Sequence, residues 1–225
     1  MKTQEAFPHL LSDAVIDQFN QEGFIATPEV FSATELRTLG HAVDDEVSKR
    51  SAHDTREVSQ KSTYEQSFVQ CMRLWETNSV VRDFVCDGRL AGMAAQLLKV
   101  PSVRLWQDQA LYKESGGRET DAHQDQTFWP IGDAPLLSVW IPFDAVSRHN
   151  GAMAYVPGSH LAGGLRPVDI THTTEPYDIL SDPKLSQRLP RWMEVDAGEM
   201  TWHHGFTVHQ AAANSSARTR RVFTV

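Results

Sequence analysis

The sequence predicts an α+β fold that is mainly β, with helices in the first hundred residues and two facing antiparallel sheets after them. Apolar residues recur at helical spacing within residues 12–99. From about residue 102 the apolar period changes to two, and Gly, Pro, Asp and Asn turn signals separate the segments. Because no helical segment lies between these strands, they cannot form βαβ units. The expected architecture is a cupin-like jelly roll with the helices packed on its larger sheet.

The first predicted element is a helix from residue 12 to about residue 22. Its apolar residues, among them Val15, Ile16 and Phe19, share one side of the helical pattern. Gly23 can end the helix because glycine readily adopts the left-handed conformation of a C-terminal cap. A short strand over residues 24–26 is expected to follow.

A capping box predicts the start of the second helix. The Ser32 hydroxyl and the Glu35 carboxylate, three positions apart, can each accept a hydrogen bond from the other residue's backbone N–H. Leu36, Leu39 and Val43 then face inward. Two shorter helices complete this layer, one capped by Asn78 and one that begins after Asp87, Gly88 and carries Leu90, Met93, Leu97 and Leu98.

The β part is predicted from segments with alternating apolar residues at 103–113, 136–143 and 152–156. Two polar stretches interrupt the pattern, residues 51–64 and the insertion 163–191. Loops on a rigid scaffold often set specificity, so these two stretches are where we expect substrate contacts.

Length and charge restrict the classes of function. A chain of 225 residues fits a single domain, here 1–225, and no apolar run is long enough to span a bilayer. The net charge of −8 argues against nucleic acid as a partner. Cys71 and Cys86 have no spacing typical of a zinc site. The polar N-terminus shows no secretory signal, which predicts a cytoplasmic protein.

A His-x-Asp triplet is the first candidate for chemistry. In an extended strand His123 and Asp125 point to the same face, where two ligands can hold one metal ion. Non-haem Fe(II) oxygenases use two histidines and one carboxylate and leave the opposite positions open. Taken alone, the triplet is a weak signal that favours polar residues on a surface strand over a metal site.

The C-terminal region offers the missing partners. His203, His204 and His209 are candidates for a second histidine, and Arg220 precedes an apolar strand at residues 222–225. A buried arginine requires a carboxylate partner.

Together these motifs resemble the phytanoyl-CoA dioxygenase-like family of Fe(II)- and 2-oxoglutarate-dependent oxygenases. The resemblance covers most of the chain and rests on Gln109 to Lys113, Gly116 with Gly117, His123 to Asp125, Trp129 with Pro130, Asn150 to Met153, Val156 to His160, His209, Asn214 and Arg220.

The resemblance implies a double-stranded β-helix in which His123, Asp125 and His209 bind iron. It implies that Arg220 binds the distal carboxylate of 2-oxoglutarate, and that Gln109 and Trp129 line the cosubstrate pocket.

Several alternatives remain open within this assignment. Arg218 or Arg221 could replace Arg220, and His203 and His204 are read as residues around the pocket. The family often has a small hydroxyl residue two positions after the distal histidine, whereas this chain has Ala211.

The resemblance further implies a dioxygenase that uses Fe(II), 2-oxoglutarate and O2 to hydroxylate a small organic molecule, releasing succinate and CO2. Related halogenases replace the carboxylate ligand by a small residue, so Asp125 favours oxygenation. A natural-product intermediate or amino-acid derivative is favoured over an acyl-CoA, because the negative chain offers no general support for binding phosphates. One alternative is a jelly-roll module that binds a metal or acts as a sensor without turnover. Another is a zinc hydrolase, which is disfavoured because this sequence has no paired Glu or His-Glu motif to supply a general acid or base.

Overall fold

A computed structural model describes residues 10–225 with the exception of 133, 176, 186 and 187. Within the described residues the helices are α1 (Asp13–Glu22), α2 (Ala33–Ser51), α3 (Ser79–Val85) and α4 (Gly88–Leu98). The strands are β1 (Phe24–Thr27), β2 (Val69–Met72), β3 (Gln109–Tyr112), β4 (Thr120–His123), β5 (Leu137–Pro142), β6 (Met153–Tyr155), β7 (Arg191–Met193), β8 (Met200–His204), β9 (His209–Ala211) and β10 (Val222–Thr224).

The strands form two antiparallel sheets, as predicted for a jelly roll. The larger sheet has six strands in the order β1-β8-β5-β10-β3-β2, and the smaller has four in the order β4-β9-β6-β7. Strands distant in sequence are neighbours in both sheets. This arrangement brings the end of the chain into the middle of the larger sheet, between β5 and β3.

Local capping explains the helix ends. The Ser32 hydroxyl accepts from the backbone N–H of Glu35, and the Glu35 carboxylate accepts from the Ser32 backbone N–H at 2.7 Å. The Asn78 side chain accepts from two backbone N–H groups at the start of α3. Gly23 ends α1 with φ of 81°, in the left-handed region that glycine tolerates best. These predicted caps are all confirmed.

The helices pack on the outer face of the larger sheet. Leu39 and Val43 of α2 belong to the same buried cluster as Leu97 of α4 and the sheet residues Ile141 and Phe223. Burying such side chains contributes roughly 1.5–3 kcal/mol each. A second buried cluster lies on the inner side of the sheets and includes Phe24, Trp140, Tyr155 and Val222.

The predicted strand over residues 103–113 is only partly correct. Residues 102–108 form no strand, and pairing with β2 and β10 begins at Gln109. The reason lies at Asp108, whose carboxylate accepts hydrogen bonds from the backbone N–H groups of Leu74 and Trp75 at 2.6 and 2.8 Å. These bonds tie the chain to a turn before it enters the sheet.

The insertion at 163–191, which was predicted as a polar stretch, contains a cluster of buried apolar side chains. Leu165, Val168, Ile179 and Leu185 are buried together with Val208 next to β9. The stretch contains short 3₁₀ turns before β7 begins at Arg191. The insertion therefore has its own small core against the smaller sheet.

Within the described residues, no helix has the length and apolar character needed to cross a bilayer. The polar N-terminal residues 1–5, on which the cytoplasmic prediction rests, lie outside the described part of the chain.

Candidate metal centre and cosubstrate pocket

The side chains of His123 and Asp125 face the same site, as predicted, although the two residues do not lie in one continuous strand. Strand β4 ends at His123, and Asp125 begins a 3₁₀ turn instead of continuing the strand. The residue between them, Gln124, keeps an extended backbone with φ of −116° and ψ of 128°. The alternation of side chains therefore persists for one residue beyond the strand, and both side chains point into the fold.

His209 is the second histidine of the cluster. It is the first residue of β9 and lies directly opposite His123 in the antiparallel pair. Asp125 Oδ1 lies 3.5 Å from the Nε2 atoms of both histidines. Ligand atoms on one facet of an octahedron with metal–ligand distances of about 2.1 Å lie roughly 3 Å apart. One metal ion therefore fits this arrangement.

Backbone carbonyls orient the two imidazoles. His123 Nδ1 lies 2.7 Å from the carbonyl oxygen of Asp121, and His209 Nδ1 lies 3.0 Å from that of Thr207. We assign Nδ1 as the donor in both rings, because a carbonyl oxygen can only accept. In the neutral form of each ring, Nε2 then carries a lone pair that faces Asp125, as a metal ligand requires.

The second oxygen of Asp125 is held from the opposite sheet. His203 Nε2 lies 3.1 Å from Oδ2, and the Ser138 hydroxyl donates to the same atom at 3.2 Å. His203 and Ser138 face each other across β8 and β5. His203 was predicted to lie around the pocket, whereas no role was predicted for Ser138. Its only signal was a polar residue in an otherwise apolar strand.

The charge states of the cluster suit a cation. Burial lowers the pKa of His209 to about 3, so the ring is neutral at neutral pH. Burial alone would raise the pKa of Asp125, but the attraction of His209 and hydrogen bonds from His123 and His203 hold it well below its usual range. Asp125 raises the pKa of His123 in spite of burial. A bound cation would displace the proton that the protonated His123 ring carries on Nε2.

Arg220 provides a second feature of the pocket. It is only 3% exposed, and its guanidinium carbon lies 5.2 Å from the centroid of the Trp140 ring. Its Nε and Nη1 atoms are buried and have no hydrogen-bond partner in the described structure. Burial lowers the pKa of Arg220 to about 9, which still leaves it charged at neutral pH. A buried cation with free donors fits an anionic ligand such as a carboxylate.

The neighbouring arginines do not enter the pocket. Arg221 pairs with Asp44 and Asp144, each at 2.8 Å. Arg218 is exposed. Of the three alternatives raised by the sequence, the structure thus places Arg220 beside the candidate metal centre.

Gln109 and Trp129 line the same cavity as the metal cluster and Arg220, with a volume of about 530 Å³. Gln109 Oε1 accepts from Gln70 Nε2 at 2.7 Å. Ala211 also lines the cavity, and Thr120, which is paired with Ala211 between β4 and β9, brings a hydroxyl group to that wall.

His204 has a different position. It lies outside the residues that line this cavity. Its Nδ1 atom accepts from the backbone N–H of Phe206 at 3.1 Å, within the turn between β8 and β9. Of the three late histidines, His203 and His209 are therefore the two that face the pocket.

Comparison with known proteins identifies the family. The family model described as phytanoyl-CoA dioxygenase (PhyH) matches residues 19–222. The chain belongs to this family. A phytanoyl-CoA dioxygenase domain-containing protein 1 homolog from Caenorhabditis elegans is 32% identical over 118 residues, which cover 49% of this chain and 40% of that protein. A methylphosphonate hydroxylase from Gimesia maris is 28% identical over 158 residues, covering 68% and 58%. The chain thus spans less than half the length of the first of these relatives.

Solved structures of two α-ketoglutarate-dependent enzymes share the fold. The non-haem α-ketoglutarate-dependent carbocyclase SnoK from nogalamycin biosynthesis superposes with a TM-score of 0.76 at 27% identity, covering 96% of this chain and 83% of SnoK. The epimerase SnoN in complex with Fe³⁺, α-ketoglutarate and nogalamycin RO gives 0.75 at 26% identity, covering 94% and 80%. The predicted fold is confirmed. The prediction of iron and 2-oxoglutarate as cofactors is confirmed by the α-ketoglutarate dependence of these two enzymes and by the His123, Asp125 and His209 cluster.

Proposed function

We propose that this PhyH-family protein is an Fe(II)- and 2-oxoglutarate-dependent dioxygenase. It hydroxylates a small organic molecule with O2 and releases succinate and CO2. The supporting observation is that one cavity contains a largely buried His-Asp-His cluster together with a buried arginine that has no anionic partner among the described residues. The first group suits a divalent cation, and the second suits a carboxylate of the cosubstrate.

Each residue has a role in this proposal. His123, Asp125 and His209 would hold Fe(II), and Arg220 would bind the distal carboxylate of 2-oxoglutarate. When bound, iron and 2-oxoglutarate supply the activation of O2 and the oxidation of a substrate C–H bond. Gln109 and Trp129 shape the wall of the cavity that receives the cosubstrate.

His203 and Ser138 keep Asp125 in one orientation. Because both donate to Oδ2, the other oxygen, Oδ1, stays directed at the histidines. A carboxylate held in this way binds a metal through one oxygen, which leaves more of the coordination sphere for cosubstrate and O2.

The loops proposed to contact the substrate both reach the cavity. Tyr64, at the end of the 51–64 stretch, lines it, as do residues 168–171 of the insertion. Hydroxylation is supported by Asp125, which fills the position that halogenases leave open for halide, and by the likeness to a methylphosphonate hydroxylase.

An anaerobic titration tests the proposal. Addition of 2-oxoglutarate to the Fe(II)-loaded protein should produce a metal-to-ligand charge-transfer absorption band. A substrate screen with O2 should reveal succinate release. Asp125→Ala should lose both. Retention of substrate-dependent succinate formation in Asp125→Ala would contradict the proposal. Formation of the band without succinate release from any substrate would favour a binding module without turnover.

A further inference from the structure

The charged side chains that line the metal cavity restrict the charge that a substrate can carry. Apart from the imidazoles of the cluster, Arg220 is the one cationic side chain among the described residues that line it. Asp169 adds a second carboxylate to the lining. It accepts hydrogen bonds from Thr171, Thr173 and Thr174 and forms no ion pair within the described structure. Once Arg220 holds the cosubstrate, an anionic substrate would have no counter-charge.

The mouth of the cavity is aromatic and exposed. Trp106 is 49% exposed, Phe128 is 42% exposed and Met72 is 41% exposed, although all three line the cavity. Phe68 and Trp129 extend the same surface. Clustered large apolar side chains at the entrance of a site indicate that an apolar ligand covers them.

A second cavity of about 710 Å³ adjoins the first. Leu90, Ala94 and Leu98 of α4 form much of its wall, and Arg104 is the one cationic residue among those the structure describes there. Six residues line both cavities: Trp106, Gln107, Gln109, Trp129, Ser138 and Thr224. Each volume lies within the range of roughly 300–1,000 Å³ typical of sites for drug-sized ligands.

We propose that the substrate is an uncharged, largely apolar molecule that extends over both cavities. Its reacting carbon lies in the metal cavity, and the rest of its apolar body lies against α4. This inference rests on the proposed function and specifies its substrate class. It excludes small phosphorus oxyanions and CoA thioesters, whose phosphates would meet no cationic lining beyond Arg220 and Arg104.

A matched pair of probes tests the charge. Phenanthrene-9-methanol and phenanthrene-9-carboxylate share one ring system and differ in charge, and methylphosphonate represents a small anion. Binding to the anaerobic protein loaded with Fe(II) and 2-oxoglutarate is followed by quenching of tryptophan fluorescence. We expect the alcohol to bind at least tenfold more tightly than either anion. Equal or tighter binding of an anion overturns the proposal.

The absorption band of the Fe(II) and 2-oxoglutarate complex separates the two levels of inference. If the band does not form in the wild-type protein, the proposed function fails and the substrate class fails with it. If the band forms but the anions bind as well as the alcohol, only the substrate class fails.

A bulky side chain tests the second cavity. Ala94→Trp places an indole where α4 lines it, whereas Val80→Trp adds the same group on α3, at a residue that lines neither cavity. We expect Ala94→Trp to weaken binding of the alcohol at least tenfold while the absorption band persists, and Val80→Trp to leave binding unchanged. Unchanged binding in Ala94→Trp overturns the proposed extension along α4.

The wild-type chain offers a test that does not depend on a variant. Cys86 is exposed and lines the second cavity, whereas Cys71 is buried. Phenanthrene-9-methanol should slow the alkylation of Cys86 by N-ethylmaleimide at least fivefold, measured by mass spectrometry of the Cys86 peptide. An unchanged rate at a saturating concentration of the alcohol places the ligand elsewhere and overturns the proposal.

Discussion

Arg220 and Arg221 are neighbours in the chain and lie on opposite faces of the larger sheet. Arg221 points toward the helices, has a side chain that is 33% exposed and pairs with two carboxylates. Arg220 points between the sheets and is 3% exposed, and two of its buried nitrogen atoms have no partner in the part of the chain that the structure describes. The same residue type is thus fully paired on one face and unpaired on the other.

The difference separates a contribution to stability from a contribution to binding. A charge buried without a partner costs several kcal/mol in a folded protein, because the charged group loses its hydration and gains no opposite charge in return. A ligand that brings the missing carboxylate recovers part of this cost. The unpaired arginine therefore indicates a ligand site, and the paired arginine indicates a link between α2 and the sheet.

The largest expected effect is on cosubstrate binding. Arg220→Met should weaken binding of 2-oxoglutarate to the Fe(II)-loaded protein by at least about a hundredfold, because it removes a desolvated charge. The thermal stability of the ligand-free variant should stay equal or rise, because the variant no longer buries an unpaired cation. Titration of the absorption band and calorimetry measure these two outcomes. A clear loss of stability with unchanged affinity would reverse the assignment of the two arginines.

A smaller effect is expected for the other polar residues on the pocket face. His203→Phe removes the donor to Asp125 Oδ2 and should lower Fe(II) affinity by about ten- to a hundredfold, as for other groups that orient metal ligands. His203→Gln can still donate a hydrogen bond and should recover part of the affinity. Competition with a metal-sensitive dye measures the affinity. Equal Fe(II) affinity in His203→Phe and the wild-type protein would remove His203 from this role.

Lys113 forms an antiparallel backbone bridge with Arg220, and its side chain shows how burial destabilises a cation. Burial, with a smaller contribution from Arg220, lowers the pKa of Lys113 to about 7. The unfolded chain binds more protons than the folded chain from that pH up to the usual lysine pKa. Stability should therefore rise with pH in this window, by about 2 kcal/mol between pH 7 and 9.

Lys113→Met should abolish this rise, as urea unfolding at several pH values would show. Lys49→Met, at a side chain that is 68% exposed, serves as the control and should keep the wild-type slope. A slope that survives in Lys113→Met would assign the proton uptake to another group.

The smallest expected effect concerns the paired arginine. Arg221→Met should lower the free energy of unfolding by about 1 kcal/mol, because partly exposed ion pairs contribute little even when two carboxylates are involved. Its affinity for 2-oxoglutarate should equal that of the wild-type protein. A weakened affinity in this variant would show that the two faces of the sheet are coupled.

Features with a local cause were predictable from the sequence. The capping box of α2, the glycine at the end of α1 and the alternation that carries His123 and Asp125 to one side depend on residues a few positions apart. The resemblance to the family then supplied His209 and Arg220.

Features that depend on distant partners were not predictable in this way. Residues 102–108 have the alternation of a strand, yet the binding of Asp108 to Leu74 and Trp75 keeps them out of the sheet. Strand β2 was not predicted, and its place at the edge of the sheet is determined by pairing with β3. The buried core of the insertion likewise requires β9 as a neighbour.

The sequence by itself determined the types of residue available for a metal and an anion, and the helices and strands that carry them. Only the tertiary structure decided that His203 and Ser138 hold Asp125, and that Arg220 instead of Arg221 lacks a carboxylate. The physical reason is that hydrogen bonding and desolvation depend on which groups the folded chain brings within a few ångströms, and those groups come from strands far apart in sequence.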